Sequence, residues 1–268
     1  MVPSAHPGHA LVTGASSGIG AAFARDYARR GVPLVLTARR LDRLEALACE
    51  LRVQVPVEVI AADLAQRDAP ARLVAELQRR RIAVTHLVNN AGYGVPGRLL
   101  SSDWSVHADF LQVLVTSVAE LTWRLLPAME AVGHGRVINV ASLAGLTPAS
   151  AGHTLYGAAK AFVIRFSESL AEEMRARGVH VTAVCPGFTY SEFHDANGMR
   201  GRVSKLPPWL WLDADTVARA GIDAVERGDA RIVVGRINQL IAGMSRLLPA
   251  AAMRALVAGP SKHFRDTD

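Results

Sequence analysis

The chain has 268 residues, of which 50% are hydrophobic and 20% are charged, a balance that excludes an intrinsically disordered protein. Its net charge of +6 comes from 27 arginines and three lysines against 24 acidic residues, but these cations are scattered and form no stripe with aromatic residues, which argues against nucleic-acid binding. The two cysteines, Cys49 and Cys185, have no metal-type spacing, so we expect neither a disulfide framework nor a metal site, and the usage is typical of a reducing cytoplasm.

Short apolar runs rich in β-branched residues alternate with amphipathic helical segments along the chain. The runs predicted to be strands are His9 to Thr13, Pro33 to Ala38, Glu58 to Ala62, His86 to Asn89, Arg136 to Ala141, His180 to Cys185 and Arg231 to Val234. Helical periodicity is clear at Gly20 to Arg30, Arg40 to Leu51 and Ala69 to Arg80. This alternation predicts an α/β fold with a parallel sheet covered by helices on both faces. Since no repeat or break in composition divides the chain, residues 1–268 are expected to form a single domain.

A glycine-rich turn, "LVTGASSGIGAA", follows the first predicted strand and opens the first helix. Gly14, Gly18 and Gly20 allow a sharp turn and a close approach of the backbone to a ligand. The free N–H groups and the positive dipole end of the helix favour a phosphate there. The spacing is GxxxGxG and not the GxGxxG of the general dinucleotide fingerprint, but the strand, turn and helix context is the same.

The end of the second predicted strand reads "LVLTARR", with Arg39 and Arg40 at its tip and no acidic residue before Asp42. In dinucleotide folds an acidic residue at this point binds the ribose 2′-hydroxyl, whereas an arginine accommodates a 2′-phosphate. The sequence therefore favours NADP(H) over NAD(H). The alternative is that the two arginines only begin a solvated helix.

The stretch "LYGAAKAF" places Tyr156 four positions ahead of Lys160, so that on a helix their side chains lie about 5–6 Å apart at Cβ. A free tyrosine with a pKa near ~10 is a poor base, and a neighbouring ammonium is expected to lower that pKa. Ser142 follows the strand "RVINVA", where its hydroxyl can orient a substrate oxygen. These three groups suit the reduction of a carbonyl, with Tyr156 as acid and base.

Four motifs occur in order: "TGASSGIG" at Thr13 to Gly20, "NNAG" at Asn89 to Gly92, Ser142 with "YxxxK", and "PG" at Pro186-Gly187. With them the chain resembles the short-chain dehydrogenase/reductase family, in the branch of about 250 residues with one Rossmann-type domain. The likeness runs from about Ala10 to about Phe193.

The resemblance implies where the cofactor lies. Cofactor contacts are implied for Gly14, Ser16, Ser17, Gly18, Ile19, Gly20, Arg39, Arg40, Asp63, Leu64, Asn90, Ala91, Gly92, Tyr156, Lys160, Pro186 and Gly187. Among these, Asp63 and Leu64 would hold the adenine, Asn90 would lie by its ribose, and Lys160 would bind the nicotinamide ribose. Either Ser191 or Thr189 would contact the nicotinamide carboxamide.

One position departs from the family pattern. The asparagine that commonly completes a catalytic tetrad falls at Leu114, although the main chain can stay distorted there without it, and Thr116 or Ser117 can supply polarity by bonding back to the helix. Two hypotheses follow: an active oxidoreductase, or a nucleotide-binding sensor or scaffold with little turnover. An epimerase or dehydratase of the extended branch also uses YxxxK but normally needs a longer substrate domain.

Residues 188–213 are predicted to cover the substrate. The aromatic and apolar residues of this segment are Phe188, Tyr190, Phe193, Met199, Trp209 and Trp211. They predict a bulky, apolar ketone or secondary alcohol, aromatic, steroid-like or long-chain. The alternative is that they only pack this lid against the core or another subunit. His153 and His194 are interpreted as structural.

The C-terminal residues 236–268 are predicted to form a helical extension. Within it, the apolar run Asn238 to Gly259 is broken by Arg246, Pro249 and Arg254, which indicates core or interface helices, with membrane-surface attachment as the alternative. No uncharged run reaches the ~18 residues of a membrane span, and the N-terminus does not resemble a signal peptide. A cytoplasmic location is expected, and the family resemblance implies a homodimer or homotetramer.

Overall fold

The structure is a computed structural model that describes residues 8–149, 151–152, 154–190, 207–249 and 252–253. Strands and helices alternate along these residues. The strands are β1 His9–Thr13, β2 Leu34–Thr37, β3 Val57–Val59, β4 Val84–Asn89, β5 Gly135–Val140, β6 Val179–Cys185 and β7 Arg231–Val233. The α-helices are α1 Gly18–Arg29, α2 Leu41–Leu51, α3 Ala69–Arg79, α4 Trp104–Leu111, α5 Ser117–Ala131, α6 Thr154–Met174, α7 Ala214–Arg227 and α8 Arg236–Leu247.

The seven strands form one parallel sheet in the order β3-β2-β1-β4-β5-β6-β7. Residues of β2 and β4 are buried along their full lengths, as expected for strands covered on both faces. The order reverses beside β1, where the chain crosses from β3 to β4. In open α/β sheets this switch point leaves a crevice at the carboxyl ends of the strands, where ligands bind.

Two apolar layers cover the sheet. On one face, α1, α2 and α7 pack their buried side chains, such as Phe23, Leu44 and Val217, against the strands. On the other face, α3, α5 and α6 do the same, with Leu73 and Leu121 among the residues removed from water. Each such side chain contributes about 1.5–3 kcal/mol on burial, so the sheet is held firmly between the layers and its edge provides a rigid base for a site.

The predicted doubly wound parallel sheet is confirmed. Strand bounds agree closely except at β3, which was predicted at Glu58 to Ala62 and is observed at Val57–Val59. The backbone nevertheless stays close to β2 beyond that point, since Ile60 N–H donates to Leu36 O at 3.1 Å. The prediction was therefore wrong in the bounds of the strand and not in its place in the sheet.

The helix that crosses behind the site is distorted at its centre. A π-helical segment, Gln112–Thr116, separates α4 from α5, and Leu114 lies in the middle of it with 1% of its surface exposed. A π turn of this kind frequently marks a functional site. The main-chain distortion considered for this position is thus present with leucine in place of asparagine.

The C-terminal extension is described only in part. Helix α8 covers Arg236–Leu247, residues 252–253 are helical, and residues 254–268 lie outside the described residues. None of the helices that the structure describes is long and apolar enough to cross a membrane.

Candidate active site

The three predicted chemical groups meet at the carboxyl edge of β5. Ser142 lies two residues after the end of the strand, whereas Tyr156 and Lys160 lie one turn apart near the start of α6. The Lys160 Nζ is 5.8 Å from the centre of the Tyr156 ring. The structure therefore brings together the residues that the sequence pairs, on a strand end and on a helix that packs beside it.

Ser142 is held in an extended conformation by its neighbours. Its Oγ accepts a hydrogen bond from Ala144 N–H at 3.2 Å, and the adjacent Leu143 N–H donates to Pro186 O at 2.9 Å. The side chain also hydrogen-bonds to Tyr156. A hydroxyl that is fixed in this way can point its proton toward a developing charge without reorganisation.

Lys160 is buried, with 6% of its surface exposed. Its Nζ donates a hydrogen bond to Val140 O at 2.7 Å, which ties α6 to the last residue of β5. Burial disfavours the ammonium and lowers the pKa of Lys160 to about 8. An ammonium has three N–H donors, and among the described residues only one of them is used, so two are available for other partners.

The expectation that Lys160 lowers the pKa of Tyr156 below its ordinary value was wrong for the protein chain without a cofactor. Burial raises the pKa of the Tyr156 phenol, and the hydrogen bond with Ser142 opposes this rise only in part. The reason is that the phenol of Tyr156, which is partly buried, loses hydration, while the ammonium, itself destabilised by burial, lies beside the ring and is hydrogen-bonded to Val140. Tyr156 consequently stays protonated at neutral pH.

The two hydroxyls next to Leu114 do not replace the missing amide. Among the described residues, Ser117 does not donate back to a main-chain carbonyl of the helix, as was considered from the sequence. Its Oγ donates to Leu64 O at 3.0 Å and accepts from Gln112 Nε2 at 3.3 Å. No side-chain hydrogen bond of Thr116 occurs among the residues that the structure describes. Ser117 thus ties α5 to the segment after β3.

The glycine loop has the geometry that its sequence predicts. Gly14 and Gly18 have φ angles of +64° and +55°, in the left-handed region that favours glycine. A Cβ added to Gly20 would lie 2.3 Å from Gly14 O. The backbone therefore folds too tightly here for any side chain. Ile19 packs partly buried against the core behind the loop.

A threonine and an asparagine join this loop to the next strand end. The Thr13 Oγ1 accepts hydrogen bonds from Asn90 N–H at 2.9 Å and Ala91 N–H at 3.0 Å and donates to Val88 O at 3.2 Å. The Asn90 side chain in turn donates to Thr13 O at 3.0 Å and Gly14 O at 3.3 Å. Thr13 was missed as a site residue, although its place at the start of "TGASSGIG" was a usable signal.

Two arginines lie at the rim of the loop, as the sequence predicts. The Arg40 Nη2 donates to Ser16 Oγ at 3.0 Å and Ser17 Oγ at 3.1 Å. Within the described part of the chain, Arg39 makes no hydrogen bond and no ion pair, and both side chains are exposed. The arrangement places positive charge beside the N-terminus of α1, whose first turn carries no acidic residue.

The predicted adenine and nicotinamide contacts lie on either side of this loop. The Asp63 Oδ1 accepts from Ala65 N–H at 3.1 Å, and Leu64 is buried, so both shape the segment after β3. Across the crevice, Thr189 is 4% exposed and its Oγ1 donates to Gly187 O at 3.2 Å. Ser191, the other predicted carboxamide contact, lies outside the described residues.

The "PG" turn is supported from behind by α8. A Cβ added to Gly187 would lie 2.5 Å from the Oδ1 of Asn238, a buried residue whose Nδ2 donates to Val234 O at 2.8 Å. Only glycine fits at this position without movement of the helix. Asn238 was not predicted, because it belongs to the C-terminal part of the chain where no motif was recognised.

The base of the predicted lid is an aromatic cluster. Tyr190 stacks on Trp211 with ring centres 4.6 Å apart, and Phe188 lies 5.8 Å from the same indole. A backbone bridge pairs Thr189 with Leu212 between them. These contacts favour the packing interpretation for Trp211, whereas Tyr190 remains 57% exposed and free to contact a substrate. The predicted residues His153, Phe193, His194 and Met199 lie outside the described residues.

These features fit a dinucleotide. The tight glycine loop, the uncapped N–H groups at the start of α1 and the two arginines provide donors and positive charge for phosphates. Ser142 lies just beyond the end of β5, the strand that pairs with β4 in the sheet. The described residues of this site therefore fit the dinucleotide cofactor that the fold implies.

Comparison with known proteins decides the family. The family model described as short chain dehydrogenase matches residues 8–199. The chain belongs to the short-chain dehydrogenase family. A sulfoacetaldehyde reductase from Chromohalobacter salexigens is 42% identical over 185 residues, which are 68% of this chain and 73% of the relative.

Two solved structures of this family are similar over most of the chain. A short-chain dehydrogenase from Sphingobium yanoikuyae in complex with NADPH has a TM-score of 0.78 at 31% identity and covers 97% of this chain and 96% of its own. The bulky-bulky ketone specific alcohol dehydrogenase from Comamonas testosteroni has a TM-score of 0.74 at 31% identity and covers 90% of this chain and 93% of its own. The relatives are thus oxidoreductases of carbonyls and alcohols.

Proposed function

We propose that the protein is an NADP(H)-dependent oxidoreductase that interconverts a ketone and a secondary alcohol. The observation that carries the proposal is the convergence of Ser142, Tyr156 and Lys160 at the carboxyl edge of the sheet, beside a glycine loop. The names of the relatives support the reaction class: one is a reductase and another is specific for bulky ketones. The NADPH complex of a third relative supports the cofactor.

Each part of the proposed cofactor site has residues suited to it. The N–H groups of the glycine loop would hold the pyrophosphate, and Arg39 and Arg40 the 2′-phosphate. Asp63 and Leu64 would lie at the adenine, while Thr189 would lie toward the nicotinamide. A bound nicotinamide would supply or accept the hydride.

Proton transfer falls to the residues of the chain. Ser142 would donate a hydrogen bond to the substrate oxygen, and the Tyr156 phenol would give its proton to that oxygen as the carbonyl is reduced. Because burial raises the pKa of Tyr156, the phenol carries its proton at neutral pH and is present in the acid form that reduction requires. The remaining N–H donors of Lys160 would stabilise the phenolate that is left.

The substrate is proposed to have a bulky, apolar body. Phe188 and Tyr190 are 36% and 57% exposed at the edge of the crevice, where aromatic surface would cover a ketone held against Tyr156. The bulky-ketone specificity of the relative from Comamonas testosteroni is consistent with such a body.

The first test is a titration of the purified protein with NADPH and with NADH, followed by nicotinamide absorbance with a panel of apolar ketones. Tighter binding of NADPH and its oxidation by the wild type, but not by Tyr156→Phe, would support the proposal. Cofactor binding without turnover of any ketone would contradict the enzymatic part.

Leu114 is the observation that favours the alternative, a nucleotide-binding protein with little turnover, because a leucine at the centre of the π segment cannot make the amide hydrogen bonds of the family pattern. Leu114→Asn separates the two functions. If the wild type is silent and the variant gains activity, the active site is degenerate; if both are silent while NADPH binds, a binding role is favoured.

We also propose that residues 1–268 act as one cytoplasmic catalytic domain that self-associates. Trp123 on α5 and Phe162 on α6 are 69% and 41% exposed, on the two helices that the family resemblance assigns to subunit packing. Light scattering during size-exclusion chromatography would give the oligomeric state, and a monomer at all concentrations would contradict this part of the proposal.

A further inference from the structure

Helix α8 is held against the protein by one of its sides. Asn238 and Ala242 on that side are 6% and 9% exposed, and Asn238 packs behind the turn at Gly187. The Gln239 Nε2 also donates to Val233 O at 3.0 Å. These contacts fix the orientation of the helix about its axis, and they leave the opposite side directed away from the sheet.

The outward side of α8 is apolar. Leu240 and Leu247 are 63% and 85% exposed, and Ile237 is 37% exposed. Because successive residues of a helix are about 100° apart, these three side chains and the partly exposed Met244 fall within about 80° of the helix circumference. They form one continuous stripe, which we call the apolar face of α8.

Two arginines border the apolar face of α8. By the same geometry, Arg236 and Arg246 lie off one edge of this face, within about 100° of Leu247 around the axis. Both arginines are exposed, and neither forms an ion pair within the described part of the chain. The helix itself, RINQLIAGMSRL, has no acidic residue. A partner for this face is therefore expected to offer apolar surface together with negative charge.

The charge of α8 distinguishes between two partners. In a twofold dimer the same patch meets itself, so a second copy of the chain would bring like charges together with no acidic residue of α8 to pair with them, which disfavours such an interface. A bilayer with anionic headgroups matches both features. The apolar side chains of an amphipathic helix enter the boundary of the acyl chains, while its arginines are attracted to the headgroups.

We propose that the apolar face of α8 attaches the protein to the surface of an anionic lipid membrane. The helix, about 18 Å long, lies in the plane of the surface, and the attachment is peripheral. For the apolar substrates proposed above, which partition into lipid, this location raises the local concentration of substrate. The attachment itself requires neither the cofactor nor the reaction.

The experiment measures co-sedimentation of the full-length protein with two kinds of vesicle. One kind contains phosphatidylcholine and phosphatidylserine in equal parts, and the other contains phosphatidylcholine alone. The wild type is expected to bind the anionic vesicles about tenfold or more tightly than the neutral ones, because each of two arginines near an anionic surface strengthens binding by about fivefold.

Three substitutions identify the surface that binds. Leu247→Gln is expected to weaken binding to the anionic vesicles by about tenfold, as the loss of one inserted leucine predicts. Arg236→Gln is expected to weaken it by about fivefold and to leave binding to the neutral vesicles unchanged. Leu100→Gln is the matched control, since Leu100 lies before α4 and is 88% exposed, and it should bind as the wild type does. Circular dichroism checks that each variant is folded.

Absence of binding to either vesicle would overturn the inference, and so would equal binding to both. Wild-type binding by Leu247→Gln, or an equal loss in Leu100→Gln, would exclude α8 as the surface that binds. If neither vesicle is bound and Leu247→Gln lowers the mass found by light scattering, a second copy covers the face and the inference fails. Turnover with NADPH, measured without vesicles, decides the proposed function separately.

Discussion

Replacing Lys160 by methionine is expected to raise the free energy of unfolding at neutral pH. Lys160 is 6% exposed, and burial lowers its pKa from 10.5 to about 8. At 1.36 kcal/mol per pKa unit, keeping the ammonium in the folded chain costs about 3 kcal/mol. Methionine has a similar length and no charge, but it leaves Val140 O without the donor now at 2.7 Å, a loss of about 1 kcal/mol. The expected net gain is about 2 kcal/mol.

The pH dependence of this gain identifies its cause. Between a pH of about 8 and 10.5 the unfolded chain holds a proton on Lys160 that the folded chain has released. The stability of the wild type therefore rises with pH across this window. The advantage of Lys160→Met should be complete below the folded-state pKa, shrink through the window and disappear near the upper end. Urea unfolding followed by circular dichroism below and within the window measures it.

Arg165→Met is the matched control on the same helix. The Arg165 side chain is 82% exposed and pairs with Glu168, so its loss should change stability by less than about 0.5 kcal/mol and equally at each pH. The reasoning is refuted if Lys160→Met is less stable than the wild type at neutral pH, or if the difference between the two proteins does not change with pH.

Three further substitutions test the site. Tyr156→Phe should lower kcat/KM for ketone reduction by about 10²–10⁴-fold in an NADPH absorbance assay; an unchanged rate would remove Tyr156 from the chemistry. Arg40→Ala should weaken NADPH binding by about tenfold or more, through loss of a charge-assisted bond of about 1.5–3 kcal/mol, and NADH binding much less; equal losses in the titrations would contradict a phosphate contact. Gly20→Ala should lower Tm and cofactor affinity together, because its Cβ would lie 2.3 Å from Gly14 O. The control is Gly243→Ala in α8, where a Cβ meets nothing within 4 Å and should stabilise the protein by about 0.5–1 kcal/mol. A wild-type Tm for Gly20→Ala would argue against the tight turn.

The sheet could be predicted from the sequence because several of its strands are apolar on both faces and alternate with amphipathic helical segments. The same logic is weaker at the edge. Val57–Val59 has only one neighbouring strand, and the polar Glu58 interrupts its apolar pattern, so the predicted bounds moved toward the apolar Ile60 and Ala61. The bounds of β3 depend on its position at the edge of the sheet. That position follows from the strand order and not from the local sequence.

In the candidate active site, too, some features could be predicted from the sequence and others depend on the packing of the folded chain. Gly14, Ser142 and Tyr156 stand in motifs whose spacing specifies their geometry, and each lies where that spacing requires. The pKa of Tyr156 could not be predicted, because its direction depends on the balance between burial and neighbouring charge in the folded chain. Asn238 belongs to no recognised motif. Its contact with Gly187 arises from the packing of α8 behind the PG turn, which no local pattern encodes.

Hydrogen bonding farther along α6 holds the helix in the position that buries Lys160. Two turns after Lys160, the Ser167 Oγ accepts a hydrogen bond from Asn139 Nδ2 at 2.9 Å, and the Asn139 Oδ1 accepts one from Asn89 at 2.8 Å. Asn139 directly precedes Val140, whose carbonyl binds Lys160. Sliding α6 along β5 to expose the ammonium would break the buried hydrogen bond between Asn139 and Ser167, which is costly to leave unmade. The helix is therefore fixed in a register that keeps the ammonium buried beside Tyr156, and the destabilised charge is maintained by interactions outside the site itself.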